Sequence, residues 1–111
     1  MVQLLLEKKT NINAVNYKNE TPLHLAALMK YVDIIQLLTS EKYAVNPNFQ
    51  DYLGETPLHI AVKYNHLSVV CKLLALPNID VYCTNFLSET PLHLAYKKDN
   101  METVRLLLDQ I

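Results

Sequence analysis

Residues Glu20–Ala26 read ETPLHLA, and the chain writes these letters twice more, as ETPLHIA over Glu55–Ala61 and ETPLHLA over Glu89–Ala95. Aligned on their threonines, Thr21, Thr56 and Thr90, the copies stand 35 and 34 residues apart. A fixed period of this size marks a repeat architecture. The question is whether the histidine in each copy carries chemistry or holds a building block together.

Each copy has the grammar of a helix start. Thr is a good N-cap, and Pro fits the first helical turn because its missing N–H has no partner there. Thr21-Pro22, Thr56-Pro57 and Thr90-Pro91 supply this pair three times. The Leu and Ala that follow predict a short helix, ending near Met29 in the first copy. A second apolar block comes next: VDIIQLL from Val32, LSVVCKLL from Leu67 and METVRLLL from Met101. Its apolar letters fall at helical spacing. The short link predicts two helices lying antiparallel. A polar stretch then leads to the next copy through Asn16-Tyr17-Lys18-Asn19, Asp51-Tyr52-Leu53-Gly54 or Asn85-Phe86-Leu87-Ser88, where a leading Asn or Asp favours a turn. Asn19 and Gly54 suit a closing positive φ, and Ser88 suits it less well.

One such unit cannot bury its apolar face alone, whereas stacked units can. Ala26, Ala61 and Ala95 permit close approach between neighbours. The three motifs, each followed by a VVxxLL-like helix, resemble ankyrin repeats over nearly the whole chain. The resemblance implies an all-α solenoid of stacked helix-turn-helix units with β-turn, hairpin-like loops. As one domain over residues 1–111, it divides into a partial repeat at 1–15 holding only a second helix, repeats at 16–50 and 51–84, and a last repeat at 85–111. The family's period is about 33 residues, so the additional residues here are placed in SEKYAVNP and ALPNID, after the second helices. The chain departs from the family at two glycine positions. Asn19 and Ser88 replace the first, with Gly54 kept, and Lys30, Asn65 and Asp99 replace the second, with local stability expected to fall and the fold to persist.

The histidines His24, His59 and His93 then stand one per unit, about 10 Å apart at helix-packing distance. Zn–N bonds are about 2.0–2.1 Å, so the three cannot share a metal ion. The reading that fits is structural: each imidazole bonds its own motif threonine or a nearby backbone group. His66, between two helices, occupies a position where the family often has histidine. Ser40, Ser68 and Ser88 lie outside any Gly-flanked nucleophile elbow, and the chain's single glycine gives no phosphate-cradling loop. The expectation is a non-enzymatic chain with no cofactor and no metal.

Composition narrows the partners. A net charge of −1 gives no electrostatic case for nucleic acid or an anionic membrane. The opening MVQLLLEKKT is too short for a membrane span. Cys71 and Cys83 fit no common zinc spacing, and they read as reduced, partly buried thiols of a cytoplasmic or nuclear protein, or of a pathogen effector inside a host cell.

Function then rests on the letters that vary. By resemblance, a protein partner binds the concave side, formed by turn tips and the outer face of the first helices. The tip candidates are Tyr17, Lys18, Tyr52, Leu53, Phe86 and Leu87, next to Glu20, Glu55 and Glu89. The first-helix candidates are Leu28, Met29, Lys63, Tyr64, Lys97 and Lys98. Two tips pair an aromatic with leucine where a solvated turn would be polar, giving an apolar strip with a basic end at Lys97 and Lys98; aromatics are enriched at interface hot spots. The competing reading folds these side chains back onto adjacent turns. Asn13, preceded by Leu5 and Ile12, also resembles the substrates of the asparaginyl hydroxylase that modifies ankyrin repeats, against a plain turn asparagine. At the ends, Val2, Leu4 and Leu5, and apolar positions among Val104, Leu106, Leu107 and Leu108, are expected to be partly bare. That implies a longer array or end-to-end pairing of copies. The alternatives to a binding module are a recruiting domain of a larger effector or enzyme and a structural spacer.

Overall fold

The computed structural model describes residues 15–40 and 45–110. Asn13, Val2, Leu4 and Leu5, and with them nearly all of the partial repeat expected at 1–15, lie outside these residues. Among the described residues the chain forms six helices in three pairs: α1 (Pro22–Leu28) with α2 (Val32–Leu38), α3 (Pro57–Lys63) with α4 (Leu67–Leu74), and α5 (Pro91–Lys97) with α6 (Met101–Leu108). The first helices α1, α3 and α5 pack in one row, and α2, α4 and α6 pack in a second behind it.

The motif makes each first helix in the same way. Thr21, Thr56 and Thr90 are N-caps with extended backbone, and Pro follows at once. The threonine Oγ1 accepts the backbone N–H of the histidine three residues on, and the histidine ring accepts the threonine backbone N–H in return. Histidine thus fills the place that Glu or Gln takes in an ordinary capping box.

Each first helix ends in a Schellman turn. Tyr31 N–H reaches back to Ala26 O at 2.9 Å and Lys30 N–H to Ala27 O at 3.3 Å, and the other two pairs repeat the pattern. This closure needs a left-handed residue at its corner. Lys30, Asn65 and Asp99 supply it with φ of 61°, 56° and 58°, although none is glycine. The corner thus takes its left-handed geometry without the glycine expected there.

Burial shows why stacking is required. Leu23 and Leu58 are fully buried by the following unit, but the equivalent Leu92 is only half-buried. Ala27 and Val62 are buried where Tyr96 is exposed, and Leu74 is buried where Leu108 is exposed. The opposite face follows the same rule: Ile60 and Leu94 are 5% and 4% exposed, whereas Leu25, which no described first helix precedes, is 38% exposed. Full burial of one such leucine contributes about 1.5–3 kcal/mol, so each junction carries much of its neighbour's stability. Of the end residues expected to be bare, Val104 and Leu107 are buried inside their own pair and Leu108 is open.

Candidate functional site: a groove between turn tips and first helices

The turns are three copies of one device. The side-chain Oδ1 of Asn16, Asp51 or Asn85 accepts the backbone N–H groups two and four residues on, at 2.9–3.0 Å. The closing residue takes positive φ in each: Asn19 at 61°, Gly54 at 76° and Ser88 at 61°. Successive turns are then tied together, because Tyr52 N–H donates to Lys18 O and Phe86 N–H to Leu53 O, both at 3.0 Å. Side-chain amides add a second tie, with Gln50 Nε2 donating to Thr84 O at 2.8 Å and Asn48 Nδ2 to Asn78 O at 2.8 Å. The tips therefore form a continuous ribbon whose backbone is fixed.

The histidines anchor this ribbon to the helices. His24 Nε2 donates to Glu55 O and His59 Nε2 to Glu89 O, each at 2.8 Å, from one repeat to the turn of the next. The sequence expectation offered the threonine or a backbone group, and both interior rings take both. Burial is the main cause that pushes the pKa of His24 and His59 down, keeping them neutral. His66 adds a tie that the sequence did not signal, its Nε2 lying 3.2 Å from Leu28 O.

With the backbone held, the variable tip side chains point to solvent: Tyr17, Phe86 and Leu87 are 92%, 72% and 76% exposed. Phe86 also lies over Gly54, where a Cβ would come within 2.6 Å of its ring. The folded-back arrangement thus holds only for part of this ring.

A cleft of about 500 Å³ runs between these tips and the first helices, lined by Leu53, Phe86, Leu87, Leu94, Lys97 and Lys98, with Glu55, Lys63, Asn85 and Glu89 on its floor and walls. A smaller cleft of about 100 Å³ continues it toward the first repeat, past Glu20, Leu28, Tyr52 and Tyr64. Both share Leu53, Glu55 and Lys63, so they form one groove. Of the candidate residues, this brings together Leu28, Tyr52, Leu53, Lys63, Tyr64, Phe86, Leu87, Lys97 and Lys98. Tyr17, Lys18 and Met29 do not line it. Lys18 instead sits over the Tyr17 ring at 5.9 Å.

The basic end is more balanced than the sequence implies. Lys63 Nζ binds Glu55 Oε1 at 2.8 Å and Lys97 Nζ binds Glu89 Oε2 at 2.9 Å. Burial opposes the Lys63 charge, but the Glu55 hydrogen bond and charge prevail and raise its pKa. Hydrogen bonds from Asn85 and then Lys97 hold the Glu89 pKa down. The signal was present in the sequence, since Glu before the motif threonine and Lys seven residues after it recur in two units. Cys71, expected to be partly buried, is exposed because it lies on the outer face of α4, while Cys83 is half-buried. No group of three or more His, Cys, Asp or Glu among the described residues is placed to hold a metal ion. No helix among them is long and apolar enough to cross a membrane.

Comparison with known families agrees with this architecture. The family model for ankyrin repeats in three copies matches residues 1–85, and that for a single ankyrin repeat matches 88–110. No curated protein matches the chain. The chain belongs to the ankyrin-repeat family, whose arrays are generally non-catalytic protein–protein interaction modules.

Proposed function

We propose that this chain binds a protein partner along the groove, with Tyr52, Leu53, Phe86 and Leu87 as its principal apolar contacts. One observation carries the reading: Phe86 and Leu87 expose large apolar side chains from a rigid turn beside a cleft of about 500 Å³. Apolar surface held open in this way marks interaction sites. A fixed backbone also lowers the ordering cost of binding. Affinity capture from the source cell, comparing the native chain with Tyr52→Ala/Phe86→Ala, tests it. Specific partners are expected with the native chain and lost with the double variant; equal recovery would sink the proposal. The exposed thiol of Cys71 suits a reducing compartment, cytoplasmic or nuclear.

A second reading, end-to-end association of copies, draws on the last unit. Its Leu92 and Tyr96 continue the face that is buried at both interior junctions, Leu108 continues the position that Leu74 buries at the second, and His93 Nε2 lacks the backbone acceptor that His24 and His59 have among the described residues. Sedimentation over a range of concentrations, with Leu108→Lys as the comparison, tests this; a monomer at every concentration would refute it.

A further inference from the structure

The carboxylate before each motif threonine occupies the same place in every turn, yet its cation differs. At Glu89, Asn85 Nδ2 donates to Oε1 at 3.1 Å and Lys97 Nζ binds Oε2 at 2.9 Å. At Glu55, Lys63 supplies the cation. At Glu20, Asn16 Nδ2 again donates to Oε1 at 3.0 Å, but the residue in the lysine's place is Leu28, and no cation among the described residues pairs with this carboxylate. The open oxygen is equivalent to the one that already holds an ammonium in the third unit. Leu28, Tyr52 and Tyr64 line the same small cleft, and tyrosine faces attract cations.

We propose that a lysine or arginine side chain of the partner binds Glu20 between Tyr52 and Tyr64, with a large apolar side chain of the same extended segment in the Leu53–Phe86–Leu94 cleft. This deepens the groove reading and rests on it. The cleft centre lies about one and a half units from Glu20, roughly 15 Å at helix-packing spacing. An extended chain covers that in about four to five residues. The lysines at the other two carboxylates exclude a partner cation there, so one basic residue suffices and its position sets the direction of the segment.

The test uses a displayed library of random dodecapeptides, selected on the native chain, Glu20→Gln, Leu28→Lys and Phe86→Ala, each first shown to be folded by circular dichroism. Peptides selected on the native chain are expected to carry Lys or Arg four to five residues from a large apolar residue, and Phe86→Ala to lose them. Glu20→Gln removes the charge, and Leu28→Lys gives Glu20 an internal cation. Both are expected to abolish the basic preference and to weaken a synthetic selected peptide about two- to fivefold, as for an exposed ion pair. The difference is expected to shrink near 1 M salt, where charges are screened within about 3 Å. Peptides that need Phe86 but show the same basic content on Glu20→Gln would overturn this inference and leave the groove reading standing. Peptides indifferent to Phe86, or no selected peptides, would overturn both.

Discussion

His24 donates its Nε2–H to the main-chain oxygen of Glu55 at 2.8 Å, joining one repeat to the turn of the next, while its Nδ1 accepts the backbone N–H of its own Thr21 at 3.2 Å. A backbone N–H can only donate, so Nδ1 is unprotonated and the ring is neutral with its proton on Nε2. His59 repeats this toward Thr56 and Glu89. The ring therefore works as a double-ended hydrogen-bond strut, and protonation of Nδ1 removes one end.

Stability should follow this titration. Burial lowers the folded-state pKa of His24 and His59, below the unfolded value of about 6.5. The unfolded chain then binds more protons at mildly acid pH, and stability falls with pH there. The full contribution is present above about 6.5 and is lost as pH drops toward the folded-state value. The depressed carboxyl of Glu89 begins to lose its contribution only as pH falls to the ordinary carboxylate value, under the pH range over which the urea midpoints are compared. Urea midpoints measured from about pH 7.5 to about pH 5.5 should decline, and the decline should be smaller in His59→Gln, which cannot titrate; a flat profile would contradict the neutral-strut geometry.

The second and third described units make the strut measurable. His59→Ala opens a buried cavity and leaves Glu89 O and Thr56 N–H without their partner, with an expected cost of about 2–4 kcal/mol. His93 is exposed and makes only the capping contacts, so His93→Ala should cost about 1 kcal/mol. Chemical denaturation of both variants checks the ordering. Equal costs would mean that the inter-repeat bond contributes little.

Much of this was legible because the motif is local. Thr, Pro and His act within four residues of one another, so the caps, the three described helix pairs and the stacking could be read from letters and period. Long-range ties were harder. His66 reaches Leu28 across 38 residues, and Gln50 reaches Thr84 across 34, and neither distance follows from helical periodicity. The groove was half legible. Sequence marked the tip residues as outliers, yet Tyr17 and Phe86 look alike there, and only the packing over Gly54 and the cleft beside Leu94 distinguish them. The pairing of Lys97 with Glu89 joins a turn to the far end of a helix, so the pattern of neither element alone reveals it.

The left-handed corners carry removable strain. A side chain at positive φ costs about 1–2 kcal/mol where the residue is neither Gly nor Asn. Lys30 and Ser88 hold φ of 61° each, so Lys30→Gly and Ser88→Gly should each raise stability by about 1 kcal/mol, partly offset by the greater freedom of glycine in the unfolded chain. Gly54→Ala should go the other way by about 1–3 kcal/mol, because its Cβ would meet the Phe86 ring at 2.6 Å and the Phe86 backbone nitrogen at 2.8 Å. Thermal midpoints of the three variants test the signs.

The last helix contains a polar group with no evident return. Thr103 is fully buried, and its Oγ1 has no hydrogen-bond partner among the described residues. The equivalent positions are Ile34 and Val69, the latter also fully buried. Burying an unpaired hydroxyl costs about 1–3 kcal/mol. Thr103→Val keeps the branched shape and replaces the hydroxyl with a methyl, so it should stabilise the fold by about 1–2 kcal/mol. Thr103→Ala removes the hydroxyl but leaves a void, and the cavity cost should cancel much of that gain. Denaturant midpoints in the order Val above Ala, with Val above the native chain, are the expected result; a Val variant less stable than the native chain would show that the hydroxyl is satisfied in solution.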